Sequence, residues 1–155
     1  MLEAAYYLEG MNVEIIADGC HLPTSLLQFV TKFKDSSRIA LITDAMRAAG
    51  QNTTVSFLGS EDDALPVIIE DGVAKLTDRS AFGGSVATAD RLLRTMMAAG
   101  VPLVDAVRMI TATPIETMGL DAKKGKLCEK YDADICVFDE DVQVKHVICG
   151  GIIIR

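Results

Sequence analysis

Two polar residues that could take part in hydrolysis each follow a short apolar segment of the chain. His21 comes shortly after residues 13–17, and Asp44 directly follows residues 38–43. An aspartate can act as a general base toward an attacking water, and a histidine can bind substrate or a metal ion. The spacing also leaves open a plainer interpretation, in which Asp44 caps the next helix and His21 is an ordinary loop residue.

The two apolar segments predict neighbouring parallel strands. Residues 13–17 (VEIIA) and 38–43 (RIALIT) read as strands covered on both faces, and residues 23–34 between them have helical spacing of apolar side chains. The unit is therefore β-α-β, with a right-handed connection expected. In such folds ligands bind at the carboxyl ends of the strands, where His21 and Asp44 would both lie.

The rest of the chain mixes short strands with helices. Extended segments at 53–57, 66–70 and 73–76 surround a hairpin turn at Asp71-Gly72, and residues 82–85 (FGGS) predict a turn that leads into a helix over 87–99. The FGGS turn could let a ligand approach the backbone, but it is equally ordinary loop chemistry. A further helix begins at Pro102, and strands follow at 134–138, 144–149 and 152–154. We place a domain boundary near residue 122.

Composition and charge exclude several classes of protein. The chain has 155 residues, of which 50% are hydrophobic, and 15 Lys+Arg against 22 Asp+Glu give a net charge of −7. The high hydrophobic fraction excludes a disordered chain. The sequence also shows no cluster of basic residues of the kind that binds nucleic acid. The sequence has no membrane span and no signal peptide, so we expect a cytoplasmic protein. The apolar excess predicts either fully buried strands or apolar surface that contacts another body.

The four cysteines form no C-x-x-C pair, and three of them interrupt apolar, strand-like sequence. We therefore favour buried free thiols over a disulfide or a zinc site. The second histidine, His146, falls inside a predicted strand and is expected to be structural or exposed.

An ordered set of motifs resembles the C-terminal half of the N-acetylglucosamine-6-phosphate deacetylase family of the amidohydrolase superfamily. The motifs are VEIIADGCHLP at 13–23, IALITDAM at 39–46, FGGS at 82–85, GKL at 125–127, ADICVFD at 133–139 and VICGG at 147–151. The similarity extends over almost the whole chain, and the ordered set is far more specific than any single motif.

The resemblance implies an α/β fold, namely the last two β/α units of a (β/α)8 TIM-like barrel plus strands of a small β domain. Residues 1–122 would supply barrel strands seven and eight with their helices, and residues 123–155 the strands of the β domain. The family hydrolyses the acetamide of N-acetylglucosamine 6-phosphate to glucosamine 6-phosphate and acetate. Asp44 matches its catalytic aspartate, which moves a proton from metal-bound water to the departing amine, and His21 matches its substrate-binding histidine.

The resemblance also implies what this chain lacks. The family's metal ligands, a glutamate and two histidines, lie on earlier strands, and no residue here matches them. We therefore expect a divalent metal, zinc or iron, in a longer parent chain, and an inactive, metal-free piece when these 155 residues stand alone.

The partners expected from the resemblance are a small-molecule sugar phosphate and a second copy in a homodimer or other self-association, with no nucleic acid and no membrane. Two alternatives remain open. One is another amidohydrolase that acts on an amide or cyclic amide, and the other is a non-catalytic module that works through assembly.

Overall fold

The computed structural model describes residues 2–60 and 62–155 and has mixed α/β structure. Its helices are α1 (Leu2–Tyr7), α2 (Thr24–Phe33), α3 (Ala89–Ala98), α4 (Leu103–Ile110) and α5 (Ala112–Thr117), with a 3-10 turn at Ser36–Arg38. Its strands are β1 (Val13–Ile15), β2 (Ile39–Leu41), β3 (Val55–Leu58), β4 (Leu65–Glu70), β5 (Val73–Leu76), β6 (Phe82–Ser85), β7 (Ile135–Phe138), β8 (Val144–Cys149) and β9 (Ile152–Ile153).

Strands β1 and β2 pair in parallel, and α2 connects them. The pairing joins Val13 to Ile39 and Ile15 to Leu41, and every residue of β2 is buried. Helix α2 turns its buried side chains, Leu27 and Val30, toward the core. The predicted β-α-β unit is therefore confirmed, with strands of three residues each that are shorter than the apolar segments containing them.

Helices α3 and α4 complete the core around this unit. Their inward side chains include Leu92, Leu93, Met96 and Met109, which share one cluster with the residues of β1, β2 and α2. Methionine fills irregular core space well because its side chain is unbranched and flexible.

Among the described residues no helix has the length and hydropathy needed to cross a membrane, since α2 and α3 have only 10 residues each.

Strands β3 to β6 form an antiparallel sheet in sequential order. The tight turn between β4 and β5 places both Asp71 and Gly72 at positive φ, +53° and +75°. Two successive left-handed residues are typical of the two-residue hairpin turn that Asp-Gly favours, so the predicted hairpin is confirmed.

The prediction of a turn at residues 82–85 is wrong, because these residues form strand β6. They pair with β5, and Ser85 also makes a parallel bridge to Ala45 beyond the end of β2. Adjacent glycines usually indicate a turn, but here Gly83 meets a steric need. A Cβ atom at this position would lie 2.9 Å from Cγ1 of Val67 on β4.

Strands β7 to β9 form a separate antiparallel sheet of three strands. The loop between β7 and β8 buries Val142, whose carbonyl oxygen accepts a 2.9 Å hydrogen bond from the Arg94 guanidinium of α3. Much of the sheet stays open, and Ile152, Ile153 and Ile154 are 67%, 72% and 66% exposed. The boundary near residue 122 and the assignment to barrel strands seven and eight stay predictions.

All four cysteines are free, but the expectation that they are buried is wrong. Cys20 is half-buried, and Cys128, Cys136 and Cys149 are exposed. Cys136 and Cys149 lie on β7 and β8, in the small open sheet. Apolar sequence around them therefore does not lead to burial, because this sheet lacks a cover over much of its surface.

Candidate functional site

Two aspartates occupy equivalent positions at the carboxyl ends of β1 and β2. Ile15 and Leu41 are the last paired residues of the two strands, and Asp18 and Asp44 each follow three residues later. The amide of Ile42 donates to the carbonyl of Ile15 over 3.0 Å, which extends the alignment toward the two aspartates. The register therefore matches Asp44 with Asp18, while His21 lies one turn farther along.

The Asp18 carboxylate is buried, with 1% of the residue exposed, and it accepts several hydrogen bonds. Its Oδ1 accepts from the backbone amides of Cys20 and His21, both at 2.9 Å. Its Oδ2 lies 2.8 Å from Nδ1 of His21 and accepts from the Ser85 hydroxyl at 3.1 Å. Burial raises the pKa of Asp18, but the bonds from His21 and Cys20 outweigh it, and the net pKa lies below the ordinary 3.8.

The imidazole of His21 is held on two sides. Nδ1 faces Asp18, and the ring meets the Phe82 ring in an edge contact with centroids 5.0 Å apart and planes at 64°. The side chain is 18% exposed. The other ring nitrogen, Nε2, lies on the side of the ring away from Asp18.

Asp44 is exposed and adopts a backbone conformation that is uncommon for a residue with a side chain, with φ at +48°. Strand β6 stabilises this conformation, because the Ser85 amide donates to the Asp44 carbonyl at 3.1 Å and the Ser85 carbonyl accepts from Met46 at 2.9 Å. Gly84 meets a backbone need in this segment, since its φ of +114° is one that residues with a side chain rarely adopt.

Ser85 links the two predicted site residues. Its backbone pairs with the chain on both sides of Ala45, and its buried hydroxyl bonds to the same Asp18 oxygen that faces His21. The structure thus brings His21 and Asp44 to one edge of the sheet. No helix follows Asp44 directly, because the described residues after it form a bridge and a turn, so the helix-cap interpretation does not hold.

Three other residues bear on the predicted site. Arg47, three residues after Asp44, stacks over the Phe57 ring at 4.0 Å and donates to the carbonyl of Gly59. His146 is exposed on β8. Asp18 is a site residue that the sequence patterns above do not identify, although the spacing Asp-x-x-His could have indicated a carboxylate that contacts the histidine.

Among the residues described by the structure, no group of three or more His, Cys, Asp or Glu side chains could hold a metal ion. A catalytic zinc site usually takes three protein ligands. His21 and Asp44 therefore do not, with their described neighbours, fit the divalent metal that the resemblance implies.

The chain is similar to known proteins along nearly its whole length. The N-acetylglucosamine-6-phosphate deacetylase of Caenorhabditis elegans is 32% identical over 138 residues, which cover 88% of this chain and 32% of that protein. The putative N-acetylgalactosamine-6-phosphate deacetylase of Escherichia coli strain K12 is 31% identical over 141 residues, covering 90% of this chain and 80% of that protein.

A solved structure is also similar to this chain. It is a mutant N-acetyl-D-glucosamine-6-phosphate deacetylase from Mycobacterium smegmatis in complex with N-acetyl-D-glucosamine-6-phosphate, and it superposes with a TM-score of 0.87 at 30% identity. The match covers 97% of this chain and 39% of that one. The chain spans about a third of the length of the glucosamine-type relatives from C. elegans and Lysinibacillus sphaericus. Residues 2–154 match the Amidohydrolase family, and the chain belongs to that family.

Proposed function

We propose that the protein acts in hydrolysis of the acetamide of N-acetylglucosamine 6-phosphate, which yields glucosamine 6-phosphate and acetate. The observation that carries this proposal is the exposed Asp44 carboxylate at the carboxyl edge of β1 and β2, with its backbone fixed by Ser85. The names of the relatives from C. elegans and M. smegmatis support the choice of substrate.

Asp44 has the role of acid and base in this proposal. Its carboxylate accepts a proton from a water whose oxygen bonds to the acetyl carbonyl carbon. The carboxyl group then donates that proton to the amide nitrogen as the carbon–nitrogen bond breaks, which releases the amine and acetic acid, and the acid ionises in water to acetate. General acid–base catalysis of this kind contributes about 10²–10⁴-fold in rate.

His21 has the role of binding the substrate through its free ring nitrogen. The described residues contain no group of side chains that could hold the metal ion implied by the resemblance. We propose that its ligands belong to a longer chain and that these 155 residues alone are inactive. A second copy of the protein is the proposed partner, supported by exposed apolar side chains such as Tyr7 and Val104, which are 86% and 80% exposed.

A second candidate substrate is N-acetylgalactosamine 6-phosphate, which differs from the first in the configuration of one hydroxyl group. The E. coli relative named for this activity favours it, because 80% of that protein is covered by the match. The acetamide is common to both sugars, so the proposed part of Asp44 is the same for either substrate.

The experiment is an assay of acetate release by the longest natural chain that carries this sequence, supplied with zinc or iron. N-acetylglucosamine 6-phosphate, its galactose-type counterpart and unphosphorylated N-acetylglucosamine are compared. Asp44→Asn should lower kcat by about 10²–10⁴-fold, while Asp62→Asn, at an exposed aspartate before β4, should leave kcat unchanged.

Each outcome has a clear meaning. Release from neither sugar phosphate would contradict the proposed reaction and favour another amide substrate or a module that works through assembly. Full activity of Asp44→Asn would contradict the role of Asp44. Acetate release and tight stoichiometric zinc in the 155-residue chain alone would contradict its proposed inactivity.

A further inference from the structure

The contact between Asp18 and His21 constrains the histidine more than a surface contact would. Oδ2 of Asp18 lies 2.8 Å from Nδ1 of His21, and Asp18 is 1% exposed. An ionised carboxylate only accepts hydrogen bonds, so the ring nitrogen that faces it must carry the proton. A neutral imidazole has one protonated and one free nitrogen, and the partner of one nitrogen decides the state of the other.

The carboxylate itself is held in place from two directions. Both backbone amides on Oδ1 come from the loop that carries His21, so the carboxylate and the imidazole are fixed within one turn of chain. The second direction is the Ser85 hydroxyl, which donates to Oδ2 at 3.1 Å. The Ser85 oxygen also accepts from the Ala87 amide at 3.0 Å, and this leaves its proton directed at Asp18.

We propose that Asp18 is a positioning residue that holds neutral His21 as the Nδ1–H tautomer and leaves Nε2 unprotonated for the substrate. The inference rests on the proposed function only in that His21 is the residue assigned to the substrate. Ser85 supports Asp18 from β6, the strand that also fixes the backbone of Asp44. Strand β6 therefore supports both the Asp18 carboxylate that orients His21 and the backbone of Asp44.

The Phe82 ring adds a steric part to this arrangement. Its edge contact with His21 restricts a flip of the imidazole, which would replace the Nδ1–H group facing Asp18 with a carbon-bound hydrogen. A flipped ring would remove one of the two side-chain donors to Oδ2 and leave the Ser85 hydroxyl as the other. Loss of a hydrogen bond to a buried carboxylate is costly, and the observed orientation keeps both donors.

The test is long-range ¹H–¹⁵N correlation NMR of the histidine rings in the 155-residue chain, at a pH where the spectra show both rings neutral. The chain has only two histidines, and His146→Gln assigns the signals. For His21 we expect a protonated Nδ1 and an unprotonated Nε2. In Asp18→Asn the introduced side-chain amide donates to the ring, so the two nitrogens should exchange states.

Ser85→Ala is the matched control, because it removes a hydrogen bond to the same oxygen without changing the charge of Asp18. We expect it to retain the Nδ1–H tautomer. A wild-type His21 with protonated Nε2 would overturn the proposal without any variant, even if Asp18→Asn failed to fold. Loss of the tautomer in Ser85→Ala as well as Asp18→Asn would reduce the role of Asp18 to general packing.

The test uses no substrate and no metal, so its result is independent of the acetate-release assay. The expected tautomer together with no acetate release by the longest natural chain would contradict the proposed function alone. A protein with activity but with the opposite tautomer would contradict this inference alone.

Discussion

The backbone amide of Ser85 donates a 3.1 Å hydrogen bond to the carbonyl oxygen of Asp44. Ser85 is fully buried on the last strand of the antiparallel sheet, and Asp44 lies exposed beyond the end of β2 in the parallel pair. The bond therefore joins the two sheets at the candidate site. It stabilises a positive φ angle that Asp44 would seldom adopt unaided.

Replacing His21 with alanine is expected to raise KM while changing kcat much less. The reason is that the proposed role of His21 is to bind substrate, whereas the proton transfer belongs to Asp44. Loss of a hydrogen bond between neutral groups corresponds to about 0.5–1.5 kcal/mol, or roughly 2–10-fold in KM. The measurement is steady-state kinetics on the longest natural chain, with metal content determined on the same samples.

His146→Ala is the control for this experiment, because His146 is exposed on β8 and has no proposed part in the reaction. It should behave as the wild type does. A fall in metal content in His21→Ala would show that His21 is a ligand and would contradict its assignment to the substrate.

The stability of the fold should depend on the ionisation of Asp18. Its pKa is lowered in the folded state, so its contribution to the free energy of unfolding is present above the unfolded value near 3.8 and is lost as the pH falls through the folded value. The side chain introduced by Asp18→Asn does not titrate. The difference in unfolding free energy between the wild type and Asp18→Asn should therefore shrink as the pH is lowered from about 5 toward 2.

Urea denaturation at several pH values measures this difference. Comparing the two proteins isolates Asp18 from the other carboxylates with lowered pKa, such as Asp35 and Asp139, because these titrate in both proteins. A difference that stays constant over the acid range would mean that the Asp18 carboxylate does not take up a proton there.

Gly83→Ala should destabilise the protein by about 1–3 kcal/mol, the usual cost of added volume in a tightly packed site. The added Cβ would lie 2.9 Å from Cγ1 of Val67, so either the buried Val67 side chain or the backbone of β6 must shift. Gly10→Ala is the matched control, because nothing lies within 4 Å of a Cβ at that position. Chemical denaturation should separate the two variants, and equal stabilities would contradict the close packing of β6.

Lys34→Met should loosen helix α1. The Lys34 ammonium is buried and donates to the backbone carbonyls of Ala5 and Leu8 at 2.6 and 2.8 Å. These groups lie at the end of a helix of only six residues, which is too short to be stable by itself. We expect a loss of about 1–3 kcal/mol and faster hydrogen exchange of the α1 amides.

Lys32→Met is the control for the loss of a lysine charge from the same region, since Lys32 is exposed on α2. It should leave the exchange of the α1 amides as in the wild type. Equal effects of the two substitutions would show that charge, and not the bonds to Ala5 and Leu8, explains the change.

The sequence by itself determined the local elements near the site. Continuous apolar segments identified β1 and β2, and helical spacing of apolar side chains identified α2, because burial on both faces of a strand or on one face of a helix requires those patterns. The Asp71-Gly72 pair determined the hairpin, because few residues adopt two successive positive φ angles. The position of His21 and Asp44 after the strands also followed from sequence, since parallel strands end at one edge.

Only the tertiary structure decided how these residues are held. The pairing of β6 with Ala45 and the buried bond from Ser85 to Asp18 join residues far apart in the chain, 67 positions in the second case. No local propensity encodes such contacts, and the glycines of β6 locally favour a turn. Exposure of the cysteines on β7 and β8 was likewise decided by packing, because an apolar segment is buried only where another surface covers it.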